Sequence, residues 1–178
     1  MSTSNHRPMW YAQQQAALDD LLRGRRTELA IALDLLLHGF TIRISTLDPW
    51  GVRDYASDFD IEANGVLVEV KGRAIEFSSP ADYPYPTIFL GSESQWLARL
   101  KLGTTPEAIV VVSEKTGARL VVPRSSASTW VIDPHGRDVI TGAAVVSYAA
   151  PRECARDFVD LVDWLGNHKN GGDPCQPH

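Results

Sequence analysis

The chain is short of sulfur, with two cysteines and two methionines in 178 residues. Cys154 and Cys175 belong to no Cys-x-x-Cys and to no Cys/His cluster, which argues against a disulfide framework or a thiolate-held zinc. They read as plain thiols. Long apolar runs are missing too: nothing approaches the roughly 20 consecutive residues of a membrane span. Met1 to Arg7 lacks the apolar core of a signal peptide, so the expected location is the cytoplasm, with no membrane partner. Positive charge is scarce. Seventeen Lys and Arg stand against 22 Asp and Glu, a net charge of −5, which counts against a protein that coats nucleic acid with clustered cations. No internal repeat or low-complexity segment is present.

What remains is the composition of a globular protein, 44% hydrophobic and 22% charged. A chain of this length buries roughly 70% of its unfolded surface, enough for one good core. A single domain over residues 1–166 is expected, followed by a polar, disordered tail over 167–178. Trp10 to Leu22 has the leucine spacing of an amphipathic helix that Gly24 ends, and Arg25 to His38 reads as a second, largely buried helix capped by Gly39. Thr41 to Thr46 alternates like a strand, and Asp48-Pro49-Trp50-Gly51 reads as a turn. Ala74 to Pro86, with three prolines plus Tyr83 and Tyr85, is a loop whose tyrosines stack on bases or pack on the protein itself. Thr87 to Leu90 is a short strand, and Ser92 with Gln95 opens a helix reaching about Leu102. The run Ile109-Val110-Val111-Val112 suits a strand buried on both faces. Arg119 to Val122, Thr129 to Ile132 and Ala143 to Tyr148 read as further strands, and Pro151 to Leu165 as a last helix.

The richest stretch is Asp58 to Arg73, because Asn64-Gly65 flanked by alternating apolar residues is the strongest short-range hairpin signal. A two-residue turn there pairs Ala63 with Val66, Ile61 with Val68, Asp60 with Glu69 and Asp58 with Lys71. Side chains alternate along a strand, so Phe59, Ile61, Ala63, Val66, Val68 and Val70 share one face. Asp58, Asp60, Glu62, Leu67, Glu69 and Lys71 share the other. Directly opposed carboxylates repel by up to about 1 kcal/mol, so Asp60 facing Glu69 asks for a positive charge between them, and a divalent cation is the obvious candidate. Turn geometry favours Asp60 over Asp58 as its ligand. A three-residue loop with a bulge at Gly65 would shift the register toward Asp58.

An Asp on one strand and Glu-x-Lys on the next resembles the PD-(D/E)XK nuclease superfamily. The segment from Gly24 to Phe40, with Glu28 early in a helix and Gly39-Phe40 after it, is similar to the first helix of small Holliday-junction resolvases. The likeness covers about Arg23 to Arg73; Ser57 stands where the family motif has Pro, and the spacing from Asp58 to Glu69 is the closer to that of the resolvases. It implies an α/β fold with a restriction-endonuclease-like core of order αβββαβ over about residues 25–114, a mixed sheet flanked by helices, with extra C-terminal strands and a helix. It also implies a Mg²⁺-dependent (or Mn²⁺-dependent) deoxyribonuclease, an endonuclease acting on branched or structured DNA as a homodimer. The alternatives are a restriction-type or RNA-directed nuclease on the same fold and a catalytically weak DNA-binding module.

In that chemistry Mg²⁺ takes oxygen ligands, here Asp60 or Asp58, Glu69, the carbonyl of Val70, and Glu28 as a ligand or as a contact to a water on the cation. Lys71 would orient or deprotonate the attacking water and offset charge on the phosphate. Arg25, Arg26 and Arg73 form a basic rim for phosphates.

Overall fold

A computed structural model describes residues 9–45, 59–137 and 144–168. Its first element is one helix, α1 (Met9–Leu37), instead of the two expected on either side of Gly24. Gly24 costs only about 1 kcal/mol relative to Ala inside a helix, and it is absent from the glycines with left-handed backbone. Side chains on either side of it hold the helical turns together, Arg23 pairing with Asp20 and Arg25 with Glu28. The true stop is Gly39, at φ 84°. Its N–H donates to the Leu36 carbonyl and that of Phe40 to Leu35, a Schellman closure that turns Phe40 into the core.

Three strands follow as an antiparallel meander: β1 (Ile42–Ile44), β2 (Ile61–Ala63) and β3 (Val66–Arg73). The β2–β3 register is the expected one, with Ala63 opposite Val66 and Ile61 opposite Val68. Asn64 and Gly65 both take positive φ, 51° and 86°, the signature of a type I′ turn. Asp58 and the Asp48–Gly51 turn lie outside the described residues, as does the tail beyond His168.

β4 (Thr87–Ser92) then leaves this sheet for a second one, and α2 (Glu93–Leu102) leads back to β5 (Ala108–Ser113), which pairs with β3 in parallel. The hydroxyl of Ser92 accepts from the N–H of Gln95 and Gly103 closes α2 in the left-handed region, so both ends of that helix are fixed. β6 (Arg119–Pro123) is antiparallel to β5. β7 (Val131–Arg137) and β8 (Ala144–Pro151) join β4, and the two-residue β9 (Arg156–Asp157) pairs with β6. α3 (Phe158–His168) comes last. The main sheet runs β1-β2-β3-β5-β6-β9 and the second β4-β8-β7. The molecule is therefore α/β, with a mixed sheet flanked by helices.

The last helix begins seven residues later than the proline at 151 led us to expect. Pro151 ends β8 opposite Thr87, where its fixed φ suits an extended chain. Cys154 falls in a 3-10 turn, and α3 starts where the Asp160 carboxylate accepts from the N–H of Asp157.

Each face of the main sheet has its own core. Ile31, Leu35, Leu161 and Leu165 of α1 and α3 meet Ile61, Val68, Val70 and Val110 on one side. On the other, Ile109, Val111, Leu120 and Val122 meet Ile88 and Leu90 of β4, Trp96 of α2, and Phe77 and Tyr83 from the proline-rich loop. Tyr83 thus packs on the protein itself. No helix among the described residues is long and apolar enough to cross a membrane.

A continuous α1 has a direct check. A Cβ on Gly24 would meet nothing within 4 Å, so Gly24→Ala should stabilise the protein by about 0.5–1 kcal/mol in urea denaturation. A loss of stability of that size would place a helix end at residue 24 after all.

Candidate functional site

Alternation along β3 sends Val68 and Val70 into the α1 side and Glu69 and Lys71 toward α2. Asp60 stands one residue before the Ile61–Val68 pair and so faces Glu69 across the hairpin. Its Oδ2 accepts the N–H of Val70 at 2.7 Å, taking a donor that a longer β2 would have used in the ladder. Both acids are almost closed off from solvent, Asp60 at 4% and Glu69 at 5% exposure. Two carboxylates so placed need compensation.

Glu69 has it from two directions. Lys71 Nζ lies 3.0 Å from its Oε1, and Arg99 Nη1 lies 2.8 Å from its Oε2. Burial by itself would raise the pKa of Glu69, but Lys71 and then Arg99 outweigh it and pull the group down to about 2. Arg99, which is not among the site residues expected from the sequence, is a buried member of this cluster at 4% exposure. The signal that could have found it is its place three residues after Trp96, on the face of α2 turned toward the sheet.

Glu28 arrives from α1 and is buried at 5%, with Arg25 Nη1 2.7 Å from its Oε2. Arg25 also donates to the carbonyl of Ser45, and the N–H of Ser45 donates to the carbonyl of Asp60. A backbone-mediated chain thus ties Glu28 and Arg25 to Asp60. Among the described residues, no three His, Cys, Asp or Glu side chains converge closely enough to hold a metal between them. Asp60 and Glu69 face each other across the hairpin, and Glu28 does not complete a three-carboxylate cluster with them.

The rest of the expected rim divides. Arg25 is committed to Glu28 and Ser45. Arg73 is half-buried, its guanidinium 5.1 Å from the centre of the Phe89 ring and donating to the Phe89 carbonyl, so it clasps β3 to β4. Burial lowers its pKa, against Tyr83, Glu114 and Glu69. Arg26 is exposed and lines an open cavity of about 270 Å³ with Thr27, Ser113, Glu114 and Arg119. Gly72 separates Lys71 from Arg73 for a steric reason: a Cβ there would sit 2.7 Å from Oε1 of Glu114 and 3.2 Å from Oγ1 of Thr27. Asp58 lies outside the described residues.

The chain matches no protein-family model and no curated protein.

The depressed pKa of Glu69 sets a pH window. A carboxylate at about 2 in the folded state and near 4.5 when unfolded contributes stability above pH 4.5 and loses it as pH falls toward 2. Glu69→Gln, which removes the negative charge that Lys71 and Arg99 meet there, should cost on the order of a few kcal/mol at pH 7. In urea titrations the gap between wild type and Glu69→Gln should shrink between pH 4.5 and 2.5. A gap that stays constant with pH would refute the buried ion-pair account.

Proposed function

We propose that the chain is a metal-dependent deoxyribonuclease of the PD-(D/E)XK kind, hydrolysing phosphodiester bonds in branched or structured DNA. The observation that carries this reading is a pair of buried carboxylates opposed across a hairpin, Asp60 and Glu69, with Lys71 two residues on and 3.0 Å from Glu69. The order α1, β1, β2, β3, α2, β5, with β5 parallel to β3, supports it, being the αβββαβ order of that superfamily with β4 diverted to the second sheet.

The donor set fits Mg²⁺ or Mn²⁺, because Asp60, Glu69 and the Val70 carbonyl offer hard oxygens and no sulfur or imidazole. Such a cation, when bound, supplies Lewis acidity toward the phosphate and acidifies water. The chain's own groups do the rest. Asp60 and Glu69 hold the position, with Asp60 fixed by the Val70 N–H. Lys71, only partly exposed, orients or deprotonates the attacking water and offsets charge on the phosphate. Glu28, held by Arg25, accepts a hydrogen bond from water at the outer side of the pair.

Self-association has support on α1. Leu18, Leu22, Leu29, Leu33, Leu36 and Leu37 are each 45–77% exposed. At 3.6 residues per turn they form a stripe roughly 28 Å long, on the side away from Ile31 and Leu35. Arg25 and Arg26 interrupt it between Leu22 and Leu29, but six exposed leucines on one side of a helix are more than monomers commonly show. A second copy running antiparallel would bring the Leu18–Leu22 end of one helix against the Leu33–Leu36 end of the other.

One observation favours a second reading. Glu69 is fully compensated by Lys71 and Arg99, which also suits a DNA-binding module that keeps the fold without cleaving.

Purified protein should therefore cleave flapped or four-way DNA in Mg²⁺ or Mn²⁺, more readily than linear duplex of equal length and with no sequence motif at the cut. Glu69→Ala, Lys71→Ala and Asp60→Asn should each lower the rate by at least about a hundredfold. Wild-type rates in these variants, or no metal-dependent cleavage of any DNA or RNA in the panel, would move the assignment to the binding module. Sedimentation should give a dimer at micromolar concentration, and the double change Leu29→Glu with Leu33→Glu a monomer. A wild-type monomer would remove the α1 interface.

A further inference from the structure

We infer that Arg99 is a built-in cation that competes with the divalent ion for Glu69 and so sets the resting metal affinity of the site; the inference rests on the metal-dependent reading above. Both oxygens of Glu69 are already engaged, Oε1 by Lys71 and Oε2 by Arg99. A divalent ion that ligates Glu69 meets one of these cations at the same carboxylate. Lys71 belongs to the hairpin that carries Glu69, but Arg99 comes from α2, which reaches the site only because it is docked through Trp96 and fixed at both ends by Ser92 and Gly103.

The charges make the competition steep. Asp60 and Glu69 contribute −2, and Lys71 with Arg99 contribute +2, so the inner cluster is neutral before any ion arrives. Adding a divalent ion leaves a surplus of +2 among Asp60, Glu69 and Arg99 at 4–5% exposure and a mostly buried Lys71, where water screens it poorly. Removing the charge of Arg99 gives the cluster a net −1 and frees Oε2. Guanidinium loses no proton at working pH, so Arg99 yields its place only by moving away from Glu69. Arg99 is in this sense a positioning residue. It keeps Glu69 aimed in the metal-free protein, 2.8 Å from its Oε2, and it holds metal affinity down until it moves.

The test is Mn²⁺ titration of the intact chain at pH 7, followed by calorimetry and by the electron paramagnetic resonance signal of free Mn²⁺, with Glu69→Gln as the blank for ions bound elsewhere. Arg99→Met should bind Mn²⁺ at least about tenfold more tightly than wild type, while Arg99→Lys, which keeps the charge, should stay within about threefold of it. If Arg99→Met does not fold, the comparison is read on Arg99→Gln, which keeps a donor for Oε2 without the charge. Equal or weaker binding in the uncharged variant overturns the inference while leaving the metal site standing. A gain in Arg99→Lys as large as in Arg99→Met overturns it as well, because charge would not then be what Arg99 contributes. No Glu69-dependent Mn²⁺ binding in either wild type or the uncharged variant overturns the metal reading and the inference together.

Discussion

The ion triad of Lys71, Glu69 and Arg99 is the interaction on which the arrangement of the candidate site depends. A carboxylate taken out of water is costly unless its charge is met at close range, and Glu69 sits on β3, inside the main sheet, with only 5% of its surface exposed. Lys71 is a local answer, two residues along the same strand. Arg99 is a long-range one, and it makes the hairpin and α2 mutually dependent. The hairpin needs a cation from α2, and α2 needs an anion to bury its arginine. Everything that fixes α2, from the Ser92 cap to the packing of Trp96 on Trp130, therefore also fixes the electrostatics of Glu69.

The second sheet acquires a role from the same logic. β4 lies between the proline-rich loop and α2, so its pairing with β8 anchors the start of the helix that delivers Arg99. Arg73, placed just past Lys71, spans from β3 to Phe89 of β4 and ties the two sheets together beside the site. A residue expected to meet phosphate is thus already holding the scaffold. Tyr83 behaves alike, since it is buried next to Phe77 with ring centres 5.4 Å apart.

How much of this was legible in the sequence follows from the range of each determinant. The β2–β3 hairpin was readable to the residue because Asn64-Gly65 fixes its register locally, and the register in turn put Asp60 opposite Glu69. β5 was readable because four consecutive apolar residues leave no polar face. Gly24 misled because a glycine inside a long helix costs little when neighbouring side chains pair across it; Gly39 differs only in that its positive φ is used. Pro151 misled for a comparable reason, as a residue that starts helices also ends strands. The diversion of β4 into a second sheet is invisible locally, since it depends on strands more than fifty residues away. Arg99 was missed on the same ground: nothing in the helix sequence says which strand its buried face will meet.

The disposition of the other arginines bears on what nucleic-acid contact the proposed nuclease would make. Among the described residues Arg23 pairs with Asp20, Arg25 with Glu28, Arg43 with Glu62, Arg119 with Asp34 and Arg124 with Glu107. Each of these cations already has an anion, so a phosphate gains one only by displacing a carboxylate. The net attraction is then the difference between two ion pairs instead of the full strength of one. With an overall charge of −5, a long duplex laid along the surface finds few such gains and much repulsion. Recognition by such a nuclease would come from fit around a small number of phosphates at the Glu69 end of the sheet. For the proposed nuclease, this is the physical reason that a bent or branched backbone, able to bring several phosphates to one place, is a better substrate than a straight one.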